Sequence, residues 1–361
     1  MKIILLYGGQ SAEHEISIIS AHNITQAIMY DLYTVQPIYI TKQGQWIKGP
    51  EMKEPSIGDQ QLIFQESEKM EWSSTNAPSK GILIRPGDIQ EKEAIVFPVL
   101  HGPNGEDGTV QGFVEVLGMP YVGAGITASA NGMDKIISKA LFTQAGIPQV
   151  PYVSFDDVEW KNQQDSLIIK AEGTLLYPLF VKPANMGSSV GISKAHDKYE
   201  LIKAVEEALK YDRRIVVEQG ITADECEVAV LGNEDIHVSC VGRLVKTQDF
   251  YDYSEKYINN TVEMEIPAQL PESLCEQIQE YAKKAYQVID GSGLARADFF
   301  VTSNHDVYIN ELNTMPGFTQ YSMYPSLWKA TGLEYRDLIE ELIQLGLSRH
   351  KTRSQMKSFE S

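Results

Sequence analysis

The stretch "KPANMGSSVGISKA", residues 182–195, decides how the chain folds. The apolar run "LFVKPA" leads into it and "VGISKA" leads out, so it reads as strand, glycine-rich loop, strand. A Walker A loop runs instead from a strand into a helix, with Gly-Lys-Ser/Thr at the helix start. Here Lys182 comes before the glycines, and Ser188 and Ser189 stand side by side in the loop. Glycines let backbone N–H groups approach an anion, and serines add donors. On its own, the loop reads equally well as a polar hairpin turn.

A second stretch tips that balance. "ARADFFVT" and "VYINELN" flank the polar turn "SNHD", which predicts an antiparallel hairpin ending at Asn313. Side chains two apart on a strand share a face, which pairs Arg296 with Asp298 and Glu311 with Asn313. One arginine, two carboxylates and an amide thus converge on one patch. Hard oxygen ligands of this kind suit Mg²⁺ held together with nucleotide phosphates. The arginine can sit over charge developing on oxygen. A surface salt-bridge ladder would explain Arg296 with Asp298, but not the "NTMPG" that follows.

Outward from these two stretches, the chain divides by pattern. "IILLYGG", "YTVQPIYIT" and "AIVFPVL" read as buried strands and "HEISIISAHNITQAIM" as a helix, so residues up to about 123 predict a parallel α/β domain. "TVQGFVEVLG" reads as a helix capped by Gly118. Residues 51–90 are polar and turn-rich and predict an excursion from the core. "ASANGMDKIISKALFTQAG" reads as one helix. Residues 124–347 predict α+β with antiparallel sheets, and "RHKTRSQMKSFES" a frayed end. The expected division is 1–123, 124–217 and 218–361.

The 361 residues are 43% hydrophobic and 22% charged, the profile of a globular protein with a large core. With 31 Lys and Arg against 49 Asp and Glu, the formal charge is −18, which argues against nucleic acid or an anionic membrane surface as partner. Any phosphate ligand must be held by a few locally placed cations. Cys226, Cys240 and Cys275 lack the spacing of a disulfide framework or zinc site and read as inert thiols of a reducing cytosol. No stretch approaches a membrane span, and "MKIILLYGGQ" reads as a first strand rather than a signal segment.

Three shorter signals remain. Gly8-Gly9 lacks the G-x-G-x-x-G fingerprint, which discounts a dinucleotide. "SAEHE" places Glu13, His14 and Glu15 at a helix start, where acids also serve as plain complements to the dipole. "LHGPNGEDG" puts His101 at a strand end, where open α/β sheets bind ligands, although a structural histidine would fit there too.

Together, "LYGGQSAEHEISIISA", "LHGPNGEDGTVQG", "MDK", "KPANMGSSVGISK", "FYDYSEKY", "RADFF" and "ELNTMPGFTQYSMYP" resemble, in order and over nearly the whole chain, the D-alanine–D-alanine ligases. The resemblance implies an ATP-grasp fold, α/β and α+β, with an N-terminal parallel α/β domain. It implies ATP-dependent joining of two D-alanines through an acyl phosphate, for peptidoglycan precursors, in the cytoplasm and as a homodimer. It also implies two Mg²⁺ ions that Mn²⁺ can replace, and K⁺ as an activator. By matching motifs, Lys135, Lys182 and Ser189 would contact ATP phosphates. Glu218, Gln219, Gly220 and Ile221 would bind adenine, and Glu225 the ribose. Family members often carry an aromatic residue near position 220, where this chain has glycine. Asp298, Glu311 and Asn313 would hold the metals, and Arg296 with the Gly317 N–H would form the oxyanion site. Glu13 would bind the first D-alanine ammonium beside His101. Lys256 and Ser322 would bind the second carboxylate. Tyr257, in a lid over 250–257, would bond Ser188, which also links to Glu13; this tyrosine favours the dipeptide over D-alanyl-D-lactate.

Three alternatives fit these residues less well. A D-alanine–D-lactate or D-serine ligase shares the chemistry. A nucleotide-binding sensor would not need Arg296, Asp298, Glu311, Asn313 and Lys256 together. A dinucleotide oxidoreductase fails on the missing glycine fingerprint.

Overall fold

The computed structural model describes residues 1–245 and 263–356. Its first sheet grows from β1 (Lys2–Gly8), which is buried almost throughout. The helix α1 (His14–Ala27) follows, then β2 (Thr34–Ile40), β3 (Trp46–Lys48), β4 (Phe64–Glu66), β5 (Ser79–Ile84) and β6 (Ala94–Val99). The order is β4-β5-β3-β2-β1-β6. The strands β2, β1 and β6 are parallel, as their unbroken apolar runs predict. The sheet as a whole is mixed, because β3 runs antiparallel to both β2 and β5. Residues 51–90 are therefore not purely an excursion: β4 and β5 extend the sheet. Three residues of that region, Met52, Leu62 and Phe64, are buried in its core. The helix α2 (Thr109–Val116) ends at Leu117, and Gly118 adopts φ +67°, the left-handed terminator the sequence predicts.

The single helix expected over residues 128–146 is two. The helix α3 (Ile126–Met133) stops at Asp134, which has extended backbone and caps α4 (Lys135–Gln144). The Asp134 carboxylate accepts from the N–H groups of Ile136 and Ile137 at 3.0 and 3.1 Å. An aspartate inside an apolar pattern can serve as a cap, and here that preference interrupts the helix. The break frees the Lys135 N–H to bond Ala184 O at 3.0 Å, which ties α4 to the strand leading into the loop.

A second sheet comprises β7 (Tyr152–Asp156), β8 (Leu179–Pro183), β9 (Ser193–Ala195) and β10 (Arg214–Gln219), in the order β7-β10-β8-β9 and antiparallel. The helices α5 (Asp157–Thr174) and α6 (Lys198–Ala208) pack on it. The strand predicted for "VGISKA" shrinks to its last three residues. Ser188, Ser189 and Gly191 all hold positive φ, at 52°, 59° and 73°, which no strand accommodates. The expected boundary at 217/218 cuts β10, whose Glu218 and Gln219 pair with Phe180 and Leu179, so the sheets divide after Gln219.

The third sheet joins β11 (Asp224–Gly232), β12 (His237–Val245), β13 (Glu263–Glu265), β14 (Gly293–Val301) and β15 (Val307–Asn313), in the order β13-β12-β11-β14-β15. The helix α7 (Glu272–Val288) buries Leu274, Ile278, Ala282, Ala285 and Tyr286 against it, an i, i+4 stripe. The helix α8 (Met323–Thr331) packs on β11 and β12 of the third sheet, and α9 (Tyr335–Gln355) reaches back to β6 of the first. Tyr324, Leu338 and Leu342 share one core with Ile3, Leu5 and Phe97. Of the end expected to fray, residues 349–355 form the last part of α9, and 357–361 lie outside the described residues. Arg349 donates to Tyr121 O at 3.0 Å and Ser292 Oγ at 2.9 Å, contacts Gly123 O, and lies 4.2 Å over the Tyr121 ring. A half-buried arginine thus anchors this polar stretch.

Candidate active site

The hairpin β14–β15 pairs Arg296 with Asn313 and Asp298 with Glu311, the predicted juxtaposition. The register then slips by one, with Phe299 opposite Ile309 and Asn310 left over. This bulge turns Asn310 and Glu311 toward the same cleft, while Ile309 and Leu312 go to the core. Strict alternation would have put Ile309 on the face of Glu311 and Asn313. The Arg296 guanidinium donates to both Asp298 oxygens at 2.7 Å and lies 2.8 Å from Glu227. Asn313 Nδ2 donates to Asp298 at 2.9 Å.

A cavity of about 190 Å³ lies between the second and third sheets. Phe180, Val150, Ile192 and Ile221 line it with apolar surface, and Lys135, Lys182, Asp298 and Glu311 with charge. Ser189, Glu218, Gln219, Gly220 and Glu225 also line it, so every predicted nucleotide contact faces one space. At Gly220 a Cβ would stand 2.8 Å from Pro178 O and 3.0 Å from the Phe180 ring, which leaves no room here for the aromatic residue of other family patterns. A second cavity, of about 70 Å³, adjoins it and is lined by Glu13, His101, Glu106, Arg296, Asn313 and Gly317. Lys135, Met186, Gly187, Ser188 and Glu311 line both cavities.

A Cβ at Gly187 would stand 3.7 Å from Glu13 Oε2, and one at Gly102 3.6 Å, so glycines flank that carboxylate on both sides. His101 Nδ1 lies 3.0 Å from Met315 O, which can only accept, so Nδ1 donates. His101 Nε2 is buried with no hydrogen-bond partner among the described residues. Ser188 Oγ is likewise buried and without such a partner, so its expected direct link to Glu13 is not formed. Ser322 lines neither cavity but borders the second: its Oγ is 3.1 Å from a Cβ at Gly317, and it stands at the N-terminus of α8. His14 is structural, placed between Gly9 O and the Tyr39 hydroxyl. Lys256 and Tyr257 lie outside the described residues.

Residues 2–124 match the family described as D-ala D-ala ligase N-terminus, and residues 141–344 the D-ala D-ala ligase C-terminus. The chain belongs to the D-alanine–D-alanine ligase family. It is 57% identical to the D-alanine–D-alanine ligase of Enterococcus faecalis, over 97% of this chain and 100% of that one. It is 54% identical to that of Enterococcus hirae, over 98% of each. Among solved structures it resembles the Coxiella burnetii D-alanine-D-alanine ligase, with TM-score 0.77, 32% identity, and 99% and 96% of the two chains covered. It also resembles the VanG D-Ala:D-Ser ligase of Enterococcus faecalis, with TM-score 0.77, 33% identity, and 96% and 99% covered. These structures carry the ATP-grasp fold expected from the resemblance.

Within this D-alanine–D-alanine ligase scaffold, four polar residues at the site escaped the motif reading. Glu106 accepts from the Gly102 N–H at 2.7 Å, and burial, reinforced by the Glu13 charge, pushes its carboxyl well above the usual carboxylate range. Glu227 reaches the cleft from β11, and Asn310 through the bulge. Lys139, one turn after Lys135 on α4, is 1% exposed and lies 2.5 Å from Glu218 Oε1. Lys182 lies 2.5 Å from the other Glu218 oxygen. Burial alone would push the Glu218 carboxyl up, but the two ammoniums overcome it and hold it at about 2. Burial lowers Lys182, but Glu218, together with the charges of Glu311 and Glu225, outweighs that and raises it. The i, i+4 spacing of Lys135 and Lys139 was a usable signal for a shared face.

Proposed function

We propose that this chain joins two D-alanines at the expense of ATP, forming D-alanyl-D-alanine for peptidoglycan precursors. The observation that carries this reading is the shared wall of the two cavities. A nucleotide in the larger one directs its terminal phosphate past Lys135, Gly187 and Ser188 into the smaller. There, Glu13 receives the ammonium of the first D-alanine and aims its carboxylate at that phosphate.

The chemistry needs positioning and charge neutralisation rather than an enzyme nucleophile. The first carboxylate oxygen bonds the γ-phosphorus as ADP leaves. The second amine then bonds the acyl carbon, a proton leaves the nitrogen, and the carbon–phosphate oxygen bond breaks. Arg296 and the Gly317 N–H border the carbon where negative oxygen develops. The N-terminus of α8, beside Ser322, favours the second carboxylate. Lys135 and Lys182 take the phosphates, and Gln219 to Ile221 take the base by backbone.

Asp298, Glu311 and Asn313 offer hard oxygen donors beside the phosphate path, a set that fits Mg²⁺ or Mn²⁺. Bound there, two ions would neutralise phosphate charge, and Asp298 would exchange part of its pairing with Arg296 for metal. Activation by K⁺, the division near 123 and 219, and a cytoplasmic location belong to the same reading. So does a homodimer, for which Val116, 87% exposed, and Ile126 offer apolar surface on α2 and α3.

ADP release with Mg-ATP and D-alanine alone tests the reading, with D-serine and D-lactate added in turn. D-alanine-dependent ADP and dipeptide are expected. No ADP from D-alanine would refute the assignment, and ADP only with added D-serine or D-lactate would move it to the related ligases.

A further inference from the structure

We propose that Lys139 is a positioning residue of the nucleotide cleft: it takes up the Glu218 charge so that the Lys182 ammonium stays available to a phosphate. This rests on the nucleotide reading of the larger cavity. Lys139 lines neither cavity, so it acts only through Glu218.

The geometry is a carboxylate bridged between two ammoniums, with 2.5 Å contacts at Oε1 and Oε2. The Lys139 contact is a buried ion pair, so it works through charge. Lys182 and Glu218 alone would cancel. With Lys139 added, the group carries one net positive charge at the back of the cleft. That charge counts, because Glu225, Glu227, Asp298 and Glu311 line the same cavity in a chain of formal charge −18. The other lysine on the wall, Lys135, is engaged by Met186 O at 2.8 Å and Glu311 at 3.3 Å.

A purely structural ion pair explains Lys139 less well. Well-packed apolar residues commonly replace buried pairs without loss of stability. Burial depresses the Lys139 ammonium despite Glu218, and Lys182 and Lys135 depress it further, so the fold holds this charge at a cost. Beyond Glu218, its ammonium has the Tyr152 ring at 5.2 Å.

Isothermal titration of the whole protein with ADP tests the proposal. Lys139→Met should weaken ADP binding at least about tenfold, while the KM for D-alanine stays within about twofold. Lys139→Arg, which keeps the charge, should stay within about threefold of wild type. In Lys139→Met/Glu218→Gln the anion is gone too, so ADP should bind several-fold tighter than to Lys139→Met alone. Wild-type ADP affinity in Lys139→Met overturns the proposal, and so does a double variant no tighter than the single one. If Lys139→Met fails to fold, a tenfold loss in Lys139→Arg overturns it. Failure of the wild type to bind ADP sinks the nucleotide reading instead.

Discussion

Replacing Glu218 by glutamine removes the anion between two buried ammoniums while keeping the side-chain shape. The wild-type carboxyl is held at about 2 against an ordinary glutamate value of 4.5. At about 1.4 kcal/mol per pH unit, that difference is worth about 3 kcal/mol of folding free energy at pH 7. The sign follows from the depression. The contribution is fully present above the unfolded-state value and is lost as pH falls through the folded-state value. Less than half should remain at pH 3. Urea unfolding of nucleotide-free wild type and Glu218→Gln, at pH 7, 5, 4 and 3, measures this. The expected gap is about 3 kcal/mol at pH 7, in line with the cost of breaking a buried pair, and it narrows only below about pH 4.5. A gap under about 1 kcal/mol at pH 7, or one constant down to pH 3, would refute the reasoning.

Three further perturbations probe other parts of the molecule. Gly191 holds φ +73°, and an added Cβ would stand 2.7 Å from the Tyr211 ring and 2.8 Å from Pro183, so Gly191→Ala should distort the loop. Its strain of about 1–2 kcal/mol should appear as a KM for ATP raised about tenfold, with the KM for D-alanine little changed. Ser188→Ala should leave stability within about 0.5 kcal/mol, since its buried hydroxyl has no partner among the described residues, yet lower kcat about tenfold; chemical unfolding and steady-state rates separate the two. Arg349→Ala strips donors from Tyr121 O and Ser292 Oγ and should cost about 2–4 kcal/mol in chemical unfolding, although that residue sits in the polar tail.

Much of the site was legible because its signals are local. Two residues apart on a strand is one face, so Arg296 with Asp298 could be read without coordinates. The glycines and serines of 187–191 announce a loop, and their positive φ values explain why it is not a strand. Glu106 stood inside a motif already singled out, yet nothing in "HGPNGEDG" says which acid turns inward. The mixed first sheet was missed because β3, the strand that reverses direction, and β4 are three residues each, too short to show an apolar period.

The sequence by itself determined the family resemblance, the strand–loop–strand device at 182–195 and the acidic hairpin, since each rests on residue types at fixed short spacing. Only the tertiary structure decided the bulge at Asn310, the cap at Asp134, the anchoring of Arg349, and the bridge of Lys139, Glu218 and Lys182. The physical reason is distance along the chain. Register slips and buried charge pairs are settled by what packs opposite, and Lys139 and Glu218 meet only when α4 lies against β10.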